Sequence, residues 1–134
     1  MNPRDFIRTL YWGDRACKAI LIDGWNGNAK VQVDRISRVG SASGTWDFYT
    51  DEDVLDGFLV FDGVEALELV SSGHIPNDLI NSVKVVEEHA EHVTIELSID
   101  SVKSDASRHE TLLRITCKSI YIEEPARPGL HICS

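Results

Sequence analysis

Hydrophobic and polar positions follow two different periods along this chain. At its start Phe6, Ile7, Leu10 and Tyr11 fall on one helical face, behind Asn2 as N-cap and Pro3 at the first helical position. Gly13 is placed to stop the helix in a left-handed conformation. The spacing predicts one short amphipathic helix over about residues 3–12. From Cys17 onward the period becomes two. Cys17 to Ile22 has little polar character on either face, which predicts a central strand. Asp23-Gly24-Trp25-Asn26-Gly27-Asn28 is dense in turn chemistry. Val31 and Val33 resume alternation, and Ile36 and Val39 continue it out of phase, so a bulge is expected near Asp34-Arg35.

Gly40-Ser41-Ala42-Ser43-Gly44 reads as a loop, Trp46, Phe48 and Thr50 as a strand, and Asp51-Glu52-Asp53 as an acidic turn. Phe58 to Phe61, bounded by Asp56-Gly57 and Asp62-Gly63, reads as a buried strand, and Val64 to Val70 as another. Residues 71–81 form a long turn with room for one helical turn at Pro76. Val83 to Glu88 and His92 to Asp100 predict a hairpin around His89-Ala90-Glu91. Its second arm alternates cleanly, with Val93, Ile95, Leu97 and Ile99 facing inward and Thr94, Glu96, Ser98 and Asp100 outward. Residues 102–109 read as polar loop, Thr111 to Glu123 as the longest strand, and 125–134 as an irregular tail opened by Pro125 and Pro128. Strands take up about half the chain, with almost no helices between them to serve as parallel crossovers. The expected fold is a single all-β domain over residues 1–134, an antiparallel sandwich or roll of about eight strands with one short N-terminal helix.

Candidate chemistry is sparse. Glu87, Glu88, His89, Glu91 and His92 have the ligand types of a divalent transition metal site. They flank a predicted hairpin turn and have no distant third ligand, so a solvated, charged tip is the expected reading and no metal is assigned. Asp51, Asp53 and Asp56 miss the register of a calcium loop, with Val54 and Leu55 inside it. Gly40 to Gly44 has the outer glycines of a nucleophile elbow but Ala42 in place of serine. No phosphate-binding or dinucleotide fingerprint is present. No catalytic residue and no cofactor follow from these motifs. Trp12, Trp25 and Trp46 could line a ligand surface, but partly buried core is the expectation for all three.

Charge narrows the class of partner. Lys plus Arg number 13 against 22 Asp plus Glu, a net charge of −9 that disfavours nucleic acid. No apolar run approaches the roughly 18 residues of a membrane span. The stretch from Met1 to Trp12 carries Arg4, Asp5 and Arg8 and has no signal-peptide core. Cys17, Cys117 and Cys133 are odd in number and widely spaced, which predicts reduced thiols and a cytoplasmic protein. Asp47, Asp51, Glu52, Asp53, Asp56 and Asp62 fall within sixteen residues that contain no Lys or Arg. They are the candidate binding residues, a negative patch that would steer a basic protein partner. The competing reading is that the charge serves solubility.

The order of elements is also familiar. A helix leads to Tyr11-Trp12-Gly13-Asp14 and a strand ending in Ile22-Asp23-Gly24. Later come Phe61-Asp62-Gly63-Val64-Glu65-Ala66-Leu67-Glu68-Leu69, then Asn77 to Val83 and Leu113 to Ile120. Over roughly 110 residues this pattern resembles small bacterial all-β proteins, the nearest being the immunity protein 50 family of polymorphic toxin systems. The resemblance implies a small protein that binds and blocks a toxin domain, and it carries over no functional residue. The expected function is therefore a non-catalytic, acidic protein-interaction module of immunity type. The alternative is a small-ligand binder with its pocket between the sheets or under the helix. No oligomeric state follows from the sequence.

Overall fold

The computed structural model describes residues 2–38, 53–70 and 73–132. Helix α1 (Pro3–Arg8) precedes β1 (Leu10–Tyr11), β2 (Cys17–Asp23), β3 (Asn28–Val33) and β4 (Arg35–Arg38). Then come β5 (Asp53–Leu55), β6 (Phe58–Asp62), β7 (Ala66–Leu69) and β8 (Ile80–Glu88). The last four are β9 (Val93–Val102), β10 (Arg108–Cys117), β11 (Ser119–Glu123) and β12 (His131–Ile132). Every ladder is antiparallel. A five-stranded sheet has the order β12-β11-β6-β3-β2, a four-stranded sheet β7-β10-β9-β8, and a three-stranded one β1-β4-β5. The all-β, antiparallel fold with a short leading helix is the one expected.

The core is one contiguous cluster. Val31, Leu59, Phe61 and Ile122 enter it from the five-stranded sheet, and Ile95, Leu97, Ile99, Leu113 and Ile115 from the four-stranded one. Phe6, Ile7 and Leu10 join it at one end, Ile36 and Val54 from the small sheet. Cys17 and Cys117 are buried free thiols, and burial pushes them up to about 11 and about 12 respectively.

Two segments pass from one large sheet to the other at the same place. β6 runs through Gly63 into β7, and β10 runs through Lys118 into β11. β6 pairs with β11 and β7 with β10, so residues 58–69 and 113–123 form one long ribbon, bent across both layers. At the bend, Lys118 N–H donates to Asp62 O at 3.0 Å and Glu65 N–H to Thr116 O at 2.9 Å. Gly63 has φ +62, and a Cβ there would meet the Lys118 side chain at 2.9 Å. The expected single strand from Thr111 to Glu123 is thus two strands. Leu113, Ile115 and Cys117 are buried before the bend and Ile120 and Ile122 after it, so the buried positions slip by one residue at Lys118-Ser119.

Other expectations are corrected in similar ways. The helix ends at Arg8 rather than near residue 12, because Thr9 caps it and Leu10-Tyr11 pair with Arg38 and Ser37. The offset at Asp34 is a passage from the five-stranded to the three-stranded sheet, not a bulge. Asp53 opens a strand instead of closing a turn, and residues 73–79 contain no helical turn. Instead Asn77 lies along β9, donating to Val102 O at 3.0 Å and accepting from Val102 N–H at 2.8 Å. Strand covers Ile80 to Ser82 and Arg108 to Glu110, and the tail carries β12, paired on β11. β2 is an edge strand rather than a central one. The expected loop at 40–44 and the strand at Trp46, Phe48 and Thr50 lie outside the described residues.

Along β9 the inward row is buried as expected, and the outward row, Thr94, Glu96, Ser98 and Asp100, is also buried. Neighbouring strands cover it. Arg114 Nε donates to Glu96 at 2.8 Å, Glu110 accepts from Ser98 at 2.9 Å, Arg108 donates to Asp100 at 2.6 Å, and Thr94 and Thr116 share a 2.8 Å bond. Long polar side chains laid across a central strand remove it from water without making it apolar.

Circular dichroism is expected to be β-dominated with under about 15% helix, since α1 has 6 residues; a third or more helix would refute the fold. Leu97→Ala should cost about 2–5 kcal/mol in urea unfolding, and Thr94→Ala about 1 kcal/mol for its one hydrogen bond. Gly63→Ala should cost about 1–2 kcal/mol through its positive φ. An unchanged urea midpoint for Gly63→Ala would show that the bend tolerates a side chain.

Candidate interaction surface

The expected acidic patch is divided. Asp47, Asp51 and Glu52 lie outside the described residues. Asp53 accepts from the Ser37 hydroxyl, whose oxygen accepts from Arg15 Nη2 at 2.9 Å. Asp56 sits in a turn at φ +52 and accepts from Lys18 Nζ at 2.7 Å. Asp62 closes β6, whose 5 residues extend roughly 13 Å at about 3.3 Å per residue. Asp53 and Asp56 therefore precede β6, with a cation beside Asp56, while Asp62 is at the strand's far end.

The histidines of the β8–β9 hairpin contact different carboxylates. His89 Nε2 lies 3.3 Å from Glu87, His92 Nε2 2.8 Å from Glu65, and Arg4 Nε donates to Glu88 at 2.7 Å. The Arg4 bond holds the Glu88 carboxyl below its usual range. Among the described residues no three His, Cys, Asp or Glu come together as a metal would need. The hairpin and the start of α1 border a shallow depression of about 300 Å³, lined by Asn2, Arg4, His89, Glu91, His92 and Lys118. Pro3, Ala90 and Val93 also line it, so it offers a small ligand polar and apolar contacts in similar measure.

The β2–β3 hairpin presents a different surface. Asp23 accepts from the Asn26 backbone N–H at 3.0 Å and from its side-chain amide at 2.8 Å. These bonds hold the Asp23 carboxyl below its usual range. Gly27 takes φ +68, and its carbonyl accepts from Val64 N–H at 2.8 Å. On this braced turn Trp25 is 96% exposed, next to Ile22 at 62% and Leu21 at 49%. Trp12, by contrast, packs partly buried against the core. Composition alone favours burial for a tryptophan. The signal for Trp25 is local, because Gly24 and Asn26-Gly27 leave it no strand partner.

A model of a family of unknown function, DUF6258, matches residues 1–134. The chain belongs to that family. No curated protein and no solved structure matches it. Membership in DUF6258 brings no activity with it, so function is argued from the surfaces above. Among the described residues no helix is long and apolar enough to cross a membrane.

One titratable cluster in this DUF6258 member lies apart from these surfaces. His74 stacks on His109 of β10, with ring centroids 4.1 Å apart and planes 8° from parallel. Its Nδ1 is buried without a partner among the described residues. Burial, then His109, then Lys103 lower the His74 pKa from 6.5. Asp105 is the nearby carboxylate, itself held low by Ser107. A base with a depressed folded pKa takes up its proton in the unfolded chain first. Its contribution is therefore present above pH 6.5 and is lost as pH falls from 6.5 through the folded value. Urea midpoints should drop between about pH 7.5 and 5.5, and less in His74→Gln. An equal drop in the variant would place the sensitivity elsewhere.

Proposed function

We propose that this protein is a non-catalytic interaction module that binds one protein partner, acting as an immunity-type protein acts on its toxin. The observation that supports it is Trp25, an almost wholly exposed indole on a turn held still by Asp23 and Asn26. Tryptophan is among the residue types most enriched in binding hot spots, and a turn whose backbone is already hydrogen-bonded has less to lose in entropy on binding. The chain's −9 charge, and the acidic run from Asp47 to Asp53, favour a partner with a basic surface. Cys17 and Cys117, both free thiols, suit a reducing cytoplasm. A second reading, small-ligand binding, has the depression beside Arg4 and His92 as its observation.

The test is cross-linking of the tagged full chain in its native cells, followed by binding measurements on the partner identified. Association should slow markedly from about 20 to about 150 mM salt. Trp25→Ala should cost about 2 kcal/mol of affinity, roughly thirtyfold. Neutralising Asp51, Glu52 and Asp53 together should lower the on-rate more than it changes the melting temperature. Arg4→Ala should leave binding unchanged. Loss of binding in Arg4→Ala with Trp25→Ala unaffected would move the site to the depression.

A further inference from the structure

β2 carries apolar side chains on both faces and, among the described strands, has a partner on only one side. Across the β2–β3 ladder Ile20 and Ile22 stand opposite Val31 and Ala29, toward the core, while Leu21 stands opposite Lys30 on the other face. Beyond Cys17, whose N–H donates to Asp78 O at 2.9 Å, no described strand pairs with the outer side of β2. Lys18 and the bulge between Cys17 and Ala19 guard only its beginning. The residues a second neighbour would bury, Leu21 and Ile22, are the ones left exposed.

Charge identifies the neighbour. Lys18 is neutralised by Asp56 at 2.7 Å, and Lys30 by Glu123 at 2.9 Å. Asp23 is the remaining charge on the strand, held by Asn26. A protein of net charge −9 thus has a nearly neutral strip along β2. A basic partner drawn by the acidic run would gain no charge pairing along this strand edge itself, whereas two acidic copies can approach along it without like-charge contact.

Symmetry then sets the register. Opposed residues in an antiparallel pair share a face, and a two-fold axis normal to the sheet keeps each residue on the same face in both copies. Paired residue numbers must therefore have the same parity, so the axis passes through a residue. Centred on Ile20, the pairing sets Lys18 against Ile22; centred on Ile22, it sets Leu21 against Asp23. Centred on Leu21, it matches Leu21 with Leu21 and Ile20 with Ile22 on both sides of the axis. We infer that two copies of this chain join edge to edge through β2, in antiparallel register about Leu21, making one continuous ten-stranded sheet from two of five. This inference rests on the reading of the β2–β3 hairpin as an interaction surface, and it names the occupant of its strand edge.

Light scattering on the purified full chain, alone, over about 10–200 μM should give a mass rising to twice 15.0 kDa. Leu21→Lys should remain at the single-chain mass with an unchanged circular dichroism spectrum, because it opposes two ammonium groups at the axis. Leu69→Lys, on the exposed edge strand β7, should dimerise as the parent does. Leu21→Cys should form a disulfide-linked dimer under mild oxidation, while Ala19→Cys, which faces Asp23 in this register, and the parent should not. The cysteine pair tests the register even where Leu21→Lys fails to fold. A parent monomeric throughout the range, a folded Leu21→Lys that still dimerises, or equal cross-linking of Ala19→Cys would each overturn the inference. A monomer that binds a foreign protein through Trp25 would overturn it while leaving the interaction reading in place.

Discussion

The sharp bend at Gly63 and Lys118 is the feature on which the rest of the molecule depends. There one antiparallel ribbon passes from the five-stranded to the four-stranded sheet, with the Lys118 N–H on Asp62 O and the Glu65 N–H on Thr116 O. A ribbon that stayed flat would show its apolar side chains to water on one face. Folded over, it sets Leu59, Phe61 and Ile122 into the same cluster as Leu113 and Ile115. A Cβ there would be strained by the positive φ and would press on the Lys118 side chain, so glycine suits the corner best. Five more strands add to the two halves of this ribbon, β3 and β2 beside β6, β12 beside β11, and β9 and β8 beside β10, while β1, β4 and β5 form their own small sheet.

Each end of each sheet is treated differently. α1 lies against β8 and β11, and β12 closes the other side of β11. Central β9 is covered on its outer face by arginine and glutamate side chains from β10 beside it. Among the described residues neither kind of cover lies over Leu21 and Ile22 of β2. Exposed apolar edges are a hazard for aggregation, and natural sheets shorten, charge or bend them. One that keeps three consecutive aliphatic residues and ends in a braced, exposed tryptophan is better understood as a surface meant to be covered.

The candidate surfaces were unequally legible. The turn under Trp25 was plain from Asp23 to Asn28, yet the exposure of the indole was not, because tryptophan content predicts burial on average and says nothing of one position. The β8–β9 tip was legible as a charged hairpin, but the contact of exposed His89 with Glu87 and of mostly buried His92 with Glu65 was not. The acidic run was visible as composition, but Asp56 and Asp62 fall on opposite ends of a strand, and Lys18 arrives beside Asp56 from a distant part of the chain. Stacking of His74 on His109 joins residues far apart in sequence and left no local signal.

Local periodicity determined the class of fold. The two-residue period makes strands, the Asn2-Pro3 start makes the helix, and the scarcity of helices leaves only antiparallel connections. It also determined which row of β9 faces the core, because burial of Val93, Ile95, Leu97 and Ile99 requires nothing beyond alternation. Tertiary structure decided where strands stop, which sheet each joins and which of them is an edge. Those outcomes depend on neighbours. The phase slip at Lys118-Ser119 becomes a corner only because Asp62 is there to receive the Lys118 N–H. A strand apolar on both faces, as β2 is, looks central in any window of sequence. It stands at the edge of the described strands because the neighbours a strand receives are set by distant parts of the chain, not by its own pattern.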